Sequence, residues 1–353
     1  MITIGVDAHK RLHVALAVDE VGRELGGWHG PNSPAGWHDL FTWSRQLDPA
    51  AQWGIEGAWG NGRGLAQHLV DRNETVYEIN PRWTAQGRRR ARRLGKTDAL
   101  DARAVALCVR QEAPALPRVY PEDETAVLDL LTTQREAAVA ESTRLRNQIH
   151  ALLLQLDPQY AAKLPSLVTV AALDTLESYC ARRPGALNEQ RALAVRRLAQ
   201  RLRLAVVQAK DLEKEIGSLT EDRFAPLTRL CGVNLLTAGT LAGILGPGDR
   251  FTSDAQLAAY AGVSPLETSS AGRTRHRLNR GGNRRLNAVL YRIALTQAHH
   301  WPAARTYLAR RVSEGKTRRE AHRCLRRYLI RAIWHLWQEC LIGTQIQNAE
   351  TAA

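Results

Sequence analysis

Residues 2–7 (ITIGVD) and 13–18 (HVALAV) are two apolar runs rich in β-branched residues, joined by a short link holding His9, Lys10 and Arg11. Such runs are strands, and a link of that length joins them as a hairpin. A third strand is expected at 52–56 (QWGIE), running into the glycine-rich turn GAWGNGRG, and a fourth at 75–79, ahead of the breaker Asn80-Pro81. A helix is expected between them, near 65–71. Strands interleaved with helices commit residues 1–115 to an α/β sheet domain. Thr97 is placed to cap a helix over 98–110 (DALDARAVALCVR).

Beyond residue 121 the pattern changes. Leu128, Leu131, Val139, Leu145, Ile149, Leu152 and Leu153 alternate with charge, which predicts a long amphipathic helix over 122–156. A similar stretch, 187–219, is its natural antiparallel partner, and the two together predict a coiled-coil-like region over 122–219. Pro158, Pro165 and the Arg-Pro-Gly at 183–185 break the connection between them. A third, mostly helical domain is expected over 224–343. Within it CGVNLLTAGTLAGILG reads as a glycine-turned helical hairpin. Residues 303–343 read as basic helices with Trp334 and Trp337 for packing.

Charge narrows the partners. The 353 residues carry a formal net charge of +14. The arginines recur through several folded-looking segments, which favours nucleic acid over a membrane surface. No apolar run is long enough for a transmembrane helix, and MITIGVDAHK does not read as a signal peptide. Five scattered cysteines form no C-x-x-C pair, which favours free thiols in a reducing cytoplasm. The expected location is the cytoplasm, in association with the nucleoid.

Two constellations carry chemistry. Asp7 and Glu56 each end an apolar strand, where an unpartnered charge is costly. Asp98 and Asp101 sit three apart on one helix and so face the same way. Four such carboxylates suit one or two Mg²⁺ ions, with Mn²⁺ as a substitute, because hard cations take oxygen ligands and no His or Cys is counted among the four. Each also has an ordinary explanation. Asp98 suits the positive end of a helix dipole, Asp101 has Arg103 and Arg110 as possible partners, and Asp7 and Glu56 could be solvated strand ends. In the second constellation Ser269 and Ser270 precede the small residues Ala271 and Gly272. A burst of arginines follows: Arg273, Arg275, Arg277, Arg280, Arg284 and Arg285. A hydroxyl among guanidiniums suits nucleophilic attack on a phosphodiester. It equally suits a polar loop that only contacts phosphate, with His276 as a further contact. Gly281 and Gly282 mark a turn or helix start. A third basic stretch holds Arg88, Arg89, Arg90, Arg92, Arg93 and Lys96.

These residues carry a resemblance. GVDAHK, GIEGAWG, KTDALDARAVA, RLRNQIHALL and the block from FTSDAQLAAYAGVSP to RGGNRRLNAVLYRIAL resemble, in order, the insertion-sequence "one-ten" family of DEDD transposases, which includes pilin-gene invertases. The resemblance implies an N-terminal domain similar to Holliday-junction resolvases, with an RNase H-like fold, in which Asp7, Glu56, Asp98 and Asp101 match the metal-binding tetrad. It implies a serine five residues after a proline, which from Pro265 is Ser270. The family usually has glycine next, where this chain has Ala271. It further implies DNA as substrate, a homo-oligomer (dimer or tetramer) assembled through the long helices, and in some members a structured guide RNA encoded by the element. The expected activity is strand cutting and exchange through the carboxylates and a serine nucleophile. The alternatives are a Mg²⁺-dependent junction-resolving nuclease that uses water and, more remotely, a nucleic-acid-binding protein without activity.

Overall fold

The computed structural model describes residues 1–80, 97–164, 166–248, 250–267, 276–277, 279 and 281–351. The chain forms two compact units, one of residues 1–123 with 247–252, the other of 124–246 with 253–353.

The first unit is built on a five-stranded sheet of order β3-β2-β1-β4-β5. Its strands are β1 (Ile2–Ala8), β2 (Leu12–Val18), β3 (Glu24–Pro31), β4 (Ala51–Glu56) and β5 (Thr75–Ile79). β1, β2 and β3 form an antiparallel meander, while β4 and β5 continue parallel to β1. β1 is buried along its whole length, so each of its faces has its own cover. Ile4 and Val6 pack with Trp53, Ile55, Leu65 and Leu69 beneath helices α1 (Pro34–Leu47) and α2 (Arg63–Val70). The opposite face receives α3 (Asp98–Glu112), through Leu16, Val18, Ala102 and Ala106 and through Tyr77, Ile79, Val105 and Val109.

The expected hairpin, the strands at 52–56 and 75–79 and the helices near 65–71 and 98–110 are all present. β3 and α1 were not expected. β3 (ELGGWHGP) is an edge strand with three glycines and no buried residue, so it carries no apolar alternation to read. α1 did carry a start signal, because Ser33 accepts from the Gly36 backbone N–H and Pro34 opens the helix.

The second unit is mostly helical. α4 (Glu124–Leu156) and α7 (Ala186–Thr220) run antiparallel, as the pairs Arg135–Glu213 and Arg201–Glu141, both at 2.8 Å, require. Leu145, Ile149 and Leu153 meet Val195, Ala199 and Leu202 across the seam. Two short helices lie in the connection, α5 (Tyr160–Lys163) and α6 (Val170–Glu177). Arg203 pins α6 to α7 through Asp174 at 2.6 Å and Glu177 at 2.7 Å. Pro165 lies outside the described residues.

The stretch CGVNLLTAGTLAGILG is a single helix, α8 (Leu235–Leu245), and not a hairpin. Its glycines lie inside the helix and serve packing. A Cβ on Gly239 would meet Thr220 Oγ1 at 2.6 Å, and one on Gly243 would meet the Asp129 backbone N at 2.6 Å. The unit continues with α9 (Asp254–Tyr260), a two-residue ladder of β6 (Leu266–Glu267) with β7 (His276–Arg277), α10 (Arg284–His300), α11 (Pro302–Ser313) and α12 (Arg318–Thr351). Gly281 and Gly282 precede the N-cap Asn283 of α10, the helix start expected there. Trp337 is buried and stacked on Phe224, with ring centroids 5.7 Å apart, while Trp334 is half-buried. All five cysteines are free, and burial pushes the Cys108 and Cys340 thiols up to about 11. No helix among the described residues is long and apolar enough to cross a membrane.

Candidate metal centre

The geometry of the acidic site begins with two glycines. Gly5 of β1 and Gly54 of β4 are register partners and lie side by side under α3. A Cβ on Gly5 would stand 2.1 Å from the Ala102 carbonyl oxygen, and one on Gly54 would stand 2.5 Å from Val109 Cγ2. Neither distance is sterically possible, so the absence of two methyl groups sets how closely α3 approaches the sheet. Side chains alternate along a strand. Two residues on, the same face of the same strands therefore presents Asp7 and Glu56, again register partners. I-G-V-D and W-G-I-E are thus one device repeated on parallel neighbours: a flat seat for the helix, then a carboxylate beyond it.

α3 brings its own carboxylates to that edge. Thr97 caps the helix, its side chain accepting from the Leu100 backbone N–H, so Asp98 and Asp101 fall in the first turn. There the unpaired N–H groups and the helix dipole favour negative charge. Asp101 is buried and Asp98 is about half exposed. The two arginines that offered Asp101 an ordinary ion pair are engaged elsewhere. Arg103 binds Glu24 at 2.8 Å, and Arg110 donates to the Glu20 carbonyl at 3.0 Å.

Among the described residues, donor atoms of Asp7, His9 and Asp98 come together, all within 4.8 Å of one another. His9 Nε2 lies 3.3 Å from Asp7 Oδ2 and 3.5 Å from Asp98 Oδ1. Burial pushes the Asp7 carboxyl above its ordinary range. The His9 charge opposes that rise, and the charges of Glu56, Asp101 and Asp98 add to it. Asp7 therefore lies within electrostatic reach of the other three carboxylates. His9 was not among the expected donors, and its imidazole nitrogen stands between two of the carboxylates. His9 is in the β1–β2 link, and the signal that could have found it is the hairpin itself, which folds residue 9 back over the end of β1.

The basic residues divide differently. Arg88, Arg89, Arg90, Arg92, Arg93 and Lys96 lie outside the described residues, as do Ser269, Ser270, Arg273, Arg275 and Arg280. Arg277 is in β7, and its side chain is not described. Arg284 is exposed at the start of α10. Arg285, beside it, turns inward to Asp129 at 2.6 Å, Glu136 at 3.0 Å and Thr132 at 3.2 Å, all on α4. Its guanidinium has a structural task within the unit.

Two family models match the chain in sequence order. A transposase model, the DEDD transposase of the IS110 type, matches residues 4–158, and one described as "Transposase IS116/IS110/IS902 family" matches residues 225–309. The insertion element IS110 uncharacterized 43.6 kDa protein of Streptomyces coelicolor is 33% identical over 270 residues. That match spans 64% of this chain and 66% of the relative, just under two thirds of its length. The insertion element IS116 uncharacterized 44.8 kDa protein of Streptomyces clavuligerus is 27% identical, over 96% of this chain and 95% of its own. Among solved structures, T. thermophilus RuvC in complex with a Holliday junction substrate aligns with 34% of this chain and 99% of its own at 15% identity. Its TM-score of 0.28 is too low to define a shared fold. Two successive parts of one family's proteins, met in their order along most of this sequence, make the chain a member of the IS110 family of transposases and a DNA transposase.

Proposed function

We propose that this transposase cuts and exchanges the DNA strands of its insertion sequence with Asp7, Glu56, Asp98 and Asp101 as a divalent-metal site and Ser270 as nucleophile. The observation that supports it best is the paired register of Asp7 and Glu56 at the edge where α3 presents Asp98. We read the sheet as RNase H-like. The donor chemistry fits a hard divalent cation, because partly buried carboxylates repel one another and oxygen ligands suit Mg²⁺, with Mn²⁺ as substitute. His9 makes Mn²⁺ no poorer a fit. When bound, the cation supplies positive charge to a phosphate oxygen.

The chain's own residues do the rest. The Ser270 hydroxyl attacks phosphorus and gives up its proton to water. The bond from phosphorus to the 3′ oxygen breaks, and that oxygen takes a proton from water and leaves as a 3′-hydroxyl. The phosphoserine ester keeps the bond energy until a 3′-hydroxyl of the partner strand displaces the serine. Arg273 and Arg275, close to Ser270 in sequence, steady the phosphate charge. The diffuse positive charge, including Arg277, Arg280, Arg284 and the stretch from Arg88 to Lys96, serves DNA and a structured guide RNA alike. The α4–α7 pair offers the surface for a dimer or tetramer.

Covalent trapping tests the assignment. Protein, element-end DNA, any element-encoded RNA and Mg²⁺ are combined and run on a denaturing gel. We expect an adduct for the wild type and Ser269→Ala, and none for Ser270→Ala or Asp7→Ala. Metal-dependent cleavage without an adduct, undiminished in Ser270→Ala, would overturn the serine assignment and leave a nuclease that uses water.

A further inference from the structure

The second unit holds a cleft of about 530 Å³ between the loop 262–265 and helices α11 and α12. That volume is within the roughly 300–1,000 Å³ of sites that enclose a ligand the size of a nucleotide. Six cations line it: Arg311, Lys316, Arg323, Arg326, Arg327 and Arg331. The carboxylates that answer them are few. Arg327 and Arg331 share Asp254, at 2.9 and 3.3 Å. Arg311 takes Glu314 at 2.7 Å, and Arg323 lies 3.7 Å from Glu320. Among the described residues six cations thus face three carboxylates, an excess of positive charge that suits an anion. Arg326 is half-buried, and its Nε has no hydrogen-bond partner among the described residues.

The same wall carries an aromatic pair. Tyr307 and Tyr328 have ring centroids 6.3 Å apart, and Tyr328 is 63% exposed. A lone exposed tyrosine is ordinary, but one set among arginines combines a stacking face with phosphate-binding forks. That combination suits a single nucleic-acid strand, whose bases stack on the ring while its backbone follows the charge. The rim of the cleft adds direction. It includes Ser264 and Pro265, and Pro265 stands five residues ahead of Ser270.

We propose that this cleft binds single-stranded DNA, with one unstacked base against Tyr328 and an adjoining phosphate on Arg323. Resting on the assignment of Ser270 above, the strand it holds is the one to be cut.

The test is a binding measurement that needs no cleavage. The full chain, as wild type and as Ser270→Ala, is titrated with single-stranded DNA of about ten nucleotides carrying the fluorescent base 2-aminopurine. We expect quenching on binding. Tyr328→Ala should lose the quenching and weaken binding about tenfold, the size of one lost base stack, while Tyr328→Phe keeps both. Arg323→Ala should lower the slope of log affinity against log salt by about 0.7, one phosphate's worth for a single strand. Tyr328 is exposed, so its variants fold, and a thermal melt verifies this. Unchanged quenching and affinity in Tyr328→Ala would overturn the proposal. So would tighter binding of the RNA of the same sequence, or a free deoxynucleoside monophosphate binding as tightly as the strand. If the quenching holds while Ser270→Ala still forms the covalent adduct, the nucleophile fails and the cleft stands. No quenching in the wild type, with an adduct that Ser270→Ala abolishes, is the opposite result: the cleft fails and the nucleophile stands.

Discussion

Asp7 is buried beside three other carboxylates, and among the described residues His9 offsets their combined effect on it. Its charge is held in the fold at a cost, and a bound cation would repay that by favouring the folded state over the unfolded one. Asp7→Asn removes the charge and keeps the shape. We expect the metal-free variant to melt no lower than the wild type, and added Mg²⁺ or Mn²⁺ to raise the wild-type melting temperature but not the variant's. A variant that melts well below the metal-free wild type would show that Asp7 is a structural partner instead. At this scale the sequence was only partly legible. The four carboxylates stand out because acids at strand ends and in a helix's first turn are visible in one dimension. His9 does not, because its closeness to Asp98, eighty-nine positions away by number, exists only once α3 is seated on the sheet.

Among elements, the interface of α3 with β1 and β4 decides the most. Gly5→Ala places a methyl group against the Ala102 carbonyl, and overpacking of that kind costs about 1–3 kcal/mol. The helix must shift, carrying Asp98 and Asp101 with it. We therefore expect weaker metal uptake, read by calorimetric titration, from a variant that alters no ligand. Gly217→Ala is the contrast, since its Cβ would enter open space within α7. There the gain in helix propensity should raise stability by about 0.5–1 kcal/mol. Equal effects at the two positions would argue that the seat has slack. The elements themselves were legible where pattern and structure share a period: β1, β2, β4, β5, α2, α3, α4 and α7. β3 was hidden by its glycines, and α8 was misread because its two glycines suggested a turn where they serve close helix packing.

For the whole molecule, the charge of +14 sets how it meets DNA. Not every arginine takes part. Arg284 is exposed, whereas Arg285 is held by Asp129 and Glu136. On double-stranded DNA, Arg284→Ala should reduce the slope of log affinity against log salt by about 0.9, one phosphate contact. Arg285→Ala should leave that slope alone and cost about 1 kcal/mol of stability, modest because all three groups remain partly exposed. A salt slope altered by Arg285→Ala and untouched by Arg284→Ala would reverse these assignments. The sequence places both arginines in one run. Only the packing of α10 on α4 separates them, and no local pattern records that.

The glycine seat also bears on how copies of a mobile element decay. A copy with alanine at position 5 or 54 keeps every carboxylate and the serine, and would pass as functional on inspection of those residues alone. Our expectation for Gly5→Ala leaves such a copy with a weakened metal site through one added methyl group. Counts of living copies in a genome that rely on the acidic residues would then run high, and the two glycines belong in the same tally.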